Sequence, residues 1–324
     1  MKTPDFETYP LTFKPIFKDR IWGGNKLKTE LNKKIPNNNT GESWEISAVA
    51  NDVSIVEKGV YQAQSLADLV LQYPEAILGT KVFKNFGAQF PLLFKYLDAQ
   101  QDLSIQVHPN DELAQNRHHS FGKTEMWYVM QADKKATILV GFKSDSTKKE
   151  YIDAVNKNTI VNLLDKIEVK TGDTFLLNTG TVHAIGAGIL IAEIQQSSDI
   201  TYRIYDFDRK DSNGNLRELH TNLALDAINY NHTNTRHNYK NIPNVANEMV
   251  VSPFFTTKFL PINGLVKVEK NNQTFSVYMC TNGDFEVIHK NHRYAYTKGQ
   301  TILIPAAMTQ FELAGIATLL EITI

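Results

Sequence analysis

Short runs of apolar and β-branched residues, bounded by Gly-, Asn- and Asp-containing turns, recur along the chain. They cover residues 89–97, 102–107, 126–130, 136–140, 172–177 and 188–194. Runs of this length and spacing predict strands of a β-sandwich or jelly-roll barrel rather than alternating βα units. Three segments read differently. Ser65 is placed as N-cap of a helix over residues 65–72 that ends before Pro74. Apolar positions at Tyr151, Ile152, Val155, Ile160, Val161 and Leu164 predict one or two helices over 148–164, and residues 223–228 predict another. These few helices are expected to cover a β-core.

Residues 229–247 are polar and Asn-rich, the composition of a linker. His232 and His237 fall in this stretch, but no neighbouring donors complete a metal site around them. Strand-like runs resume at 255–260, 274–280, 285–289, 300–304 and 318–324. At 324 residues, two domains are the simplest expectation, divided as 1–235 and 236–324.

Charge narrows the partners. Lys and Arg total 34 against 35 for Asp and Glu, a formal net charge of −1. That balance offers no global attraction to nucleic acid or to an anionic membrane, so any anion site must be local. Cys280 is the one cysteine, which excludes an intramolecular disulfide framework and fits a reducing cytoplasm. Residues 1–12 contain no signal-type apolar run, and no stretch approaches the length of a spanning helix. A cytoplasmic protein, monomeric or a small homo-oligomer, is the expectation.

Four side chains stand out as a candidate metal set: Gln106, His108, Glu125 and His183. Gln106 and His108 are two apart in a strand-like segment, so they project to one face. Glu125 opens the run 126–130, and His183 follows the strand 172–177 and a Gly-containing turn. Two imidazoles with two oxygen donors suit zinc or a similar divalent ion. As a neutral donor, Gln106 is the weakest of the four. Without it, His108, Glu125 and His183 leave an open coordination position, which a catalytic zinc site requires.

The spacing Gly172, Asn178, Gly180, His183 is similar to the second motif of the cupin superfamily, with Asn178 where a proline is usual. The first cupin motif is altered to Gln106-Val107-His108, and its glutamate is delayed by the insertion 109–114. Gln106-Val107-His108-Pro109-Asn110 followed by Gly122-Lys123-Thr124-Glu125-Met126-Trp127-Tyr128 resembles type I phosphomannose isomerases more than cupins in general. Further segments continue the resemblance in order: Ile21-Trp22-Gly23-Gly24, Gly41-Glu42-Ser43-Trp44, Phe94-Lys95-Tyr96, Thr181-Val182-His183, Glu193-Ile194-Gln195 and Thr201-Tyr202-Arg203. It covers roughly residues 10–230 strongly, and the length resembles the short bacterial subgroup.

The resemblance implies a mainly β fold of two cupin-like jelly-roll barrels with a few peripheral helices. Residues 299–306 resemble the second motif again, but Met308 and Gln310 stand where a histidine would; the C-terminal barrel is therefore expected to be metal-free and to buttress the first. The implied activity is interconversion of mannose 6-phosphate and fructose 6-phosphate through an enediolate, with one Zn2+ per chain and a small phosphorylated sugar as partner. Arg203, Glu193 and Lys123 are the implied catalytic residues, with Glu193 as proton carrier and Arg203 as charge stabiliser, its pKa being too high for a base. Lys95, Trp22 and Glu42 are the implied substrate-binding residues. Other readings stay open. Glu193 could merely pair Arg203, and Trp22 could be plain core. His108, Glu125 and His183 also form the two-His-one-carboxylate set of non-haem iron cupin dioxygenases, and a non-catalytic sugar-phosphate-binding cupin would share the scaffold. An oxygenase needs a dry apolar pocket, whereas Lys95, Lys123, Arg203 and Glu193 predict a charged one.

Overall fold

Alternation along the chain becomes two opposed faces once the strands pair. The computed structural model describes residues 5–210 and 214–324. Among these, the strands of the N-terminal unit are, in chain order, β1 (Ile16–Gly24), β2 (Thr40–Ile46), β3 (Leu92–Ala99), β4 (Ile105–Val107), β5 (Glu125–Ala132), β6 (Thr137–Phe142), β7 (Leu164–Glu168), β8 (Thr174–Leu177), β9 (His183–Ile185), β10 (Ile189–Gln196), β11 (Tyr202–Tyr205) and β12 (Arg236–His237). They form two antiparallel sheets, ordered β1-β2-β3-β10-β5-β8-β12 and β11-β4-β9-β6-β7. The helices are α1 (Lys26–Thr29), α2 (Leu66–Gln72), α3 (Pro74–Leu78), α4 (Thr80–Phe86), α5 (Asp111–His118), α6 (Lys148–Asn156) and α7 (Thr221–Ala227).

Burial follows the period of two. On β10, Leu190, Ala192 and Ile194 turn away from the second sheet and pack with Phe94 and Tyr96 of β3 and Met126 and Tyr128 of β5. Ile189 and Ile191 face the other way, meeting Leu97, Trp127 and Val129 of their own sheet and Ile138, Val140 and Ile185 of the second. Glu193 on β10 and Lys95 on β3 share the parity of that inward series. The space between the sheets is thus apolar at one end and charged at the other. The second sheet covers its outer face with α6 and α7, through Leu139, Phe142, Tyr151 and Ala224.

The C-terminal unit contains β13 (Asn247–Val251), β14 (Thr256–Glu269), β15 (Ser276–His289), β16 (His292–Thr297), β17 (Thr301–Ile304) and β18 (Gln310–Thr323). Its sheet runs β13-β14-β18-β15-β16, with β17 paired to β15. Leu260, Tyr278, Phe285, Ile302 and Leu319 fill its own core. Phe255, Phe275, Val277 and Leu303 instead join the cluster behind the first N-terminal sheet. Leu11 clasps Leu303 through a pair of backbone hydrogen bonds of 2.8 and 2.9 Å. This unit therefore packs on the back of the sheet whose front carries Lys95 and Glu193.

Several local expectations change in detail. Ser65 caps α2 by accepting from the Asp68 N–H at 3.1 Å, and Pro74 opens α3 at a position where its missing N–H costs nothing. Residues 148–164 give one helix, α6, then a 3-10 turn at Ile160–Leu163 that leads into β7. The insertion 109–114 leads into α5, whose N-cap is Asn110, its Oδ1 accepting from the Leu113 N–H at 2.9 Å. No apolar stripe announces α5, because Ala114 is its one buried residue. Inside the polar stretch 229–247, β12 pairs with β8, and Arg236 holds Asp173 at 2.5 Å. The runs 274–280 and 285–289 merge into β15, which continues through a register shift between Cys280 and Asn282 instead of ending. Just beyond it, Gly283 has φ +73°, and a Cβ there would lie 2.1 Å from the Ile316 carbonyl oxygen, so only glycine fits that position.

Candidate active site

Two sheets contribute opposite sides of the metal-ligand cluster. Gln106 on β4 is the direct cross-strand partner of His183 on β9, which brings these two side chains together in the second sheet. His108 follows β4, and Glu125 at the start of β5 reaches across from the first sheet. The His183 turn is tied to His108 by its glycine: the Gly180 N–H donates to the His108 carbonyl at 3.0 Å. Gly180 has φ +86°, and a Cβ would meet the Ala227 carbonyl oxygen at 2.8 Å. The glycine in the sequence motif thus serves a tight turn that holds two candidate ligands in register.

His108 Nε2 lies 3.5 Å from Glu125 Oε2, and His183 Nε2 lies 3.3 Å from Oε1. Bonds of about 2.0–2.2 Å in a tetrahedral site separate neighbouring donors by about 3.3–3.5 Å, so the spacing fits a divalent ion. Both Nδ1 atoms are engaged, His108 with the Ile200 carbonyl and His183 with the Thr181 carbonyl, each at 2.8 Å. Such bonds put the proton on Nδ1 and turn the Nε2 lone pair toward the cluster. Burial pushes both imidazoles below their ordinary pKa, favouring the neutral, ligating form. Both Glu125 oxygens are buried: Oε1 has no hydrogen-bond partner, and Oε2 is paired with the Lys123 ammonium, which also lies 3.0 Å from His108 Nε2. The Gln106 amide lies 3.3 Å from His183 Nε2, and Lys123 Nζ lies 2.9 Å from Glu125 Oε2. Among the described residues, His108, Glu125 and His183 are the group of His and acidic side chains close enough to share an ion.

Gln106 and Lys123 also line a cavity of about 320 Å³ that opens beside the triad. Lys95, Arg203, Trp22, Glu42 and Glu193 line it too, so every site residue named from the sequence lies at the triad or in this cavity. Lys95 Nζ pairs with Glu193 Oε1 at 3.1 Å, and the Trp127 indole N–H donates to Glu193 Oε2 at 2.9 Å. Glu193 therefore pairs with Lys95, not with Arg203. Burial alone would raise the Glu193 pKa, but the ammoniums of Lys95 and Lys123 more than offset it, leaving the carboxyl below its ordinary value. Glu42 behaves alike: burial opposes ionisation, yet Lys95 and Arg20 hold it at about 2. Burial works against the Lys123 ammonium, but Glu125 and Glu193 raise its pKa above the ordinary value, keeping it charged. Arg203 donates from Nη1 to the Glu218 carbonyl at 2.8 Å, while its Nε is buried without a protein partner. Trp22 is both core and wall, 4% exposed and in contact with the apolar cluster between the sheets.

The structure adds residues the sequence reading did not assign to the site: Arg20, Arg217, Trp44, Asp199 and Thr201. Arg20 could have been found, because it shares strand parity with Trp22; its Nε donates to Glu42 Oε1 at 2.7 Å. Trp44 shares parity with Glu42 and donates to Glu42 Oε2 at 2.6 Å. Arg217 and Asp199 come from loops and carry no local signal. Arg20, Lys95, Lys123, Arg203 and Arg217 line the cavity with Glu42, Glu193 and Asp199. Asp206 also pairs Arg217 and Glu125 pairs Lys123, while Arg203 keeps a buried Nε without a protein partner. Such a cation-rich wall suits a small anionic ligand in a protein with balanced overall charge.

Comparison with known proteins gives consistent relationships. Residues 11–136 match the family model for the type I phosphomannose isomerase catalytic domain, and residues 246–324 match that for the mannose-6-phosphate isomerase cupin domain. The chain is 38% identical over 315 residues to mannose-6-phosphate isomerase ManA of Bacillus subtilis, covering 96% of this chain and 97% of that protein. It is also 38% identical over 308 residues to the mannose-6-phosphate isomerase of Streptococcus mutans, covering 94% and 95%. A crystal structure of mannose 6-phosphate isomerase from Bacillus subtilis is similar with a TM-score of 0.90 at 33% identity, covering 98% of this chain and 100% of that one. Phosphomannose isomerase from Salmonella typhimurium shares the fold at a TM-score of 0.80 and 15% identity, covering 97% and 98%.

Proposed function

The chain belongs to the type I phosphomannose isomerase family, and we propose that it interconverts mannose 6-phosphate and fructose 6-phosphate with the cavity residues in the roles below. The reaction takes a proton from C2 of the aldose and delivers one to C1, while the hydroxyl proton on O2 is lost and O1 gains one. It needs a carboxylate within reach of the two carbons and positive charge where the enediolate oxygens develop. Glu193 carries the proton between C2 and C1, because it is a buried, ionised carboxylate on the cavity wall. Lys95 anchors it, and the Lys123 ammonium stabilises charge on the enediolate. Arg203 orients the substrate and neutralises charge, its unpartnered Nε being free to donate. Trp22 and Glu42 shape the sugar site.

His108, Glu125 and His183 hold the ion, with Gln106 beside them, and the donor set favours zinc. When bound, the ion supplies Lewis acidity at the reacting carbonyl, contributing several kcal/mol of transition-state stabilisation. The observation carrying this reading is the adjacency of a metal-type triad to a cavity of five cations. A cavity so charged is unlike the dry pocket of an oxygenase. A non-catalytic binder would require a missing reactive group, and none of the assigned residues is missing. The test is Arg203→Ala: loss of fructose 6-phosphate formation with metal content intact supports the assignment, and unchanged turnover removes it.

A further inference from the structure

The three tryptophans of the chain, Trp22, Trp44 and Trp127, all line the reaction cavity. Trp127 stands apart because it touches both halves of the chemistry. Register dictates its place: Glu193 on β10 is paired with Lys95 on one side and with Trp127 on the other. Lys95 Nζ takes Glu193 Oε1 at 3.1 Å, and Trp127 Nε1–H donates to Oε2 at 2.9 Å. The terminal torsion of a glutamate is soft, so one ion pair leaves its second oxygen free to swing. Here both oxygens are pinned. Glu193 is 3% exposed and Trp127 1%, so water does not compete for either contact. The same indole stands edge-on to His183, ring centroids 5.3 Å apart and planes at 80°. One rigid ring therefore fixes the spacing between the carboxylate and the triad.

We propose that Trp127 is a positioning residue for the isomerisation: its indole N–H holds the Glu193 carboxylate in the orientation from which the proton moves. This rests on the reading of Glu193 as proton carrier. Misplacing a reacting group by about 1 Å costs on the order of 10²-fold in rate. Trp127→Phe keeps an aromatic ring against His183 and removes the donor. It is expected to lower kcat on the order of 10- to 100-fold, with KM little changed and metal content retained. In a Glu193→Gln background the same change should cost nothing further, since residues acting as a unit are not additive. Equal losses in both backgrounds, or unchanged kcat while Glu193→Gln is inactive, would overturn the proposal and leave the Glu193 reading standing. Full activity of Glu193→Gln would remove that reading and the proposal together. A second measurement does not depend on the Phe variant folding. With ¹⁵N-labelled indoles, Glu193→Gln should shift one of the three indole N–H signals strongly; three unmoved signals would contradict the contact.

Discussion

Lys95 and Glu193 face each other across β3 and β10, with Nζ 3.1 Å from Oε1 and both side chains almost wholly buried. An ion pair removed from water at this depth is a poor source of stability, because desolvation consumes most of its Coulomb attraction. Its position on the wall of the reaction cavity gives it a chemical rationale. The ammoniums of Lys95 and Lys123 hold the carboxyl below its ordinary value although burial opposes its ionisation. Glu193→Gln should therefore lower kcat by about 10²–10⁴-fold while the chain still folds and binds its ion. Steady-state kinetics with metal analysis on the same sample checks this, and a kcat within threefold of wild type would exclude Glu193 as the proton carrier.

Removal of the ion should abolish turnover and lower thermal stability together. Glu125 places two buried oxygens between two Nε2 atoms, with Oε1 unpartnered and Oε2 paired only with Lys123, an arrangement that a divalent cation stabilises. Saturation at about 100 times the dissociation constant adds about 2.7 kcal/mol to the folded state. Chelation followed by calorimetry should show a fall in Tm that zinc restores. Glu125→Ala should bind no stoichiometric ion; one ion per chain retained by that variant would move the site elsewhere.

Trp22, Trp44 and Trp127 make intrinsic fluorescence a reporter of the cavity, since no other tryptophan dilutes the signal. A sugar phosphate titrated into the protein should change the emission saturably. Arg203→Ala should weaken the response, and mannose without its phosphate should give less of it at equal concentration. A response to mannose equal to that for the phosphorylated sugar would show that the cation-rich wall does not select the anion.

Lys270, far from the reaction cavity, gives a pH prediction. Its ammonium donates to the Thr274 carbonyl at 2.8 Å, and burial lowers its pKa from 10.5 to about 8 against an opposing pull from Glu321. Between these two values the unfolded chain binds more protons at this position than the folded one. Its contribution to stability therefore rises as pH increases from about 8 to about 10.5. The gain is about 2 kcal/mol after allowing for partial solvent contact. Denaturant unfolding of wild type and Lys270→Met across this range isolates the group, because the other titrations cancel. The difference should grow in favour of wild type as pH rises; a constant difference would mean that Lys270 titrates normally.

How legible each residue was depended on whether its signal was local. His183 could be placed because Gly180 enforces a turn with positive φ three residues before it, and such a turn leaves a mark in sequence. Strand parity put Gln106 and His108 on one face, while their reading as donors came from the combination with Glu125, His183 and the family motif; β4 itself ends at Val107. Lys95 and Glu193 could be assigned to the pocket from flanking segments that resemble the family, but not to each other, since their pairing depends on the order β3-β10-β5. Asp199 and Arg217 enter the cavity from loops, where no periodicity forecasts direction. α5 escaped notice for a different reason: it buries so little that it needs no apolar stripe. The C-terminal unit was readable as strands, while its long β15 was not, because the irregular segment from Cys280 to Gly283 looks like a break when read along one dimension.

The most direct test of the central claim follows the proton itself. Metal-loaded protein is equilibrated with mannose 6-phosphate in deuterated water over many turnovers, and the hexose phosphates are analysed by NMR. Deuterium is expected at C1 of fructose 6-phosphate and at C2 of mannose 6-phosphate, with Glu193→Gln suppressing both. Ketose formed at the wild-type rate with protium fully retained at C1 after repeated equilibration would mean that hydrogen moves without passing through an exchangeable carboxyl, and would contradict that claim.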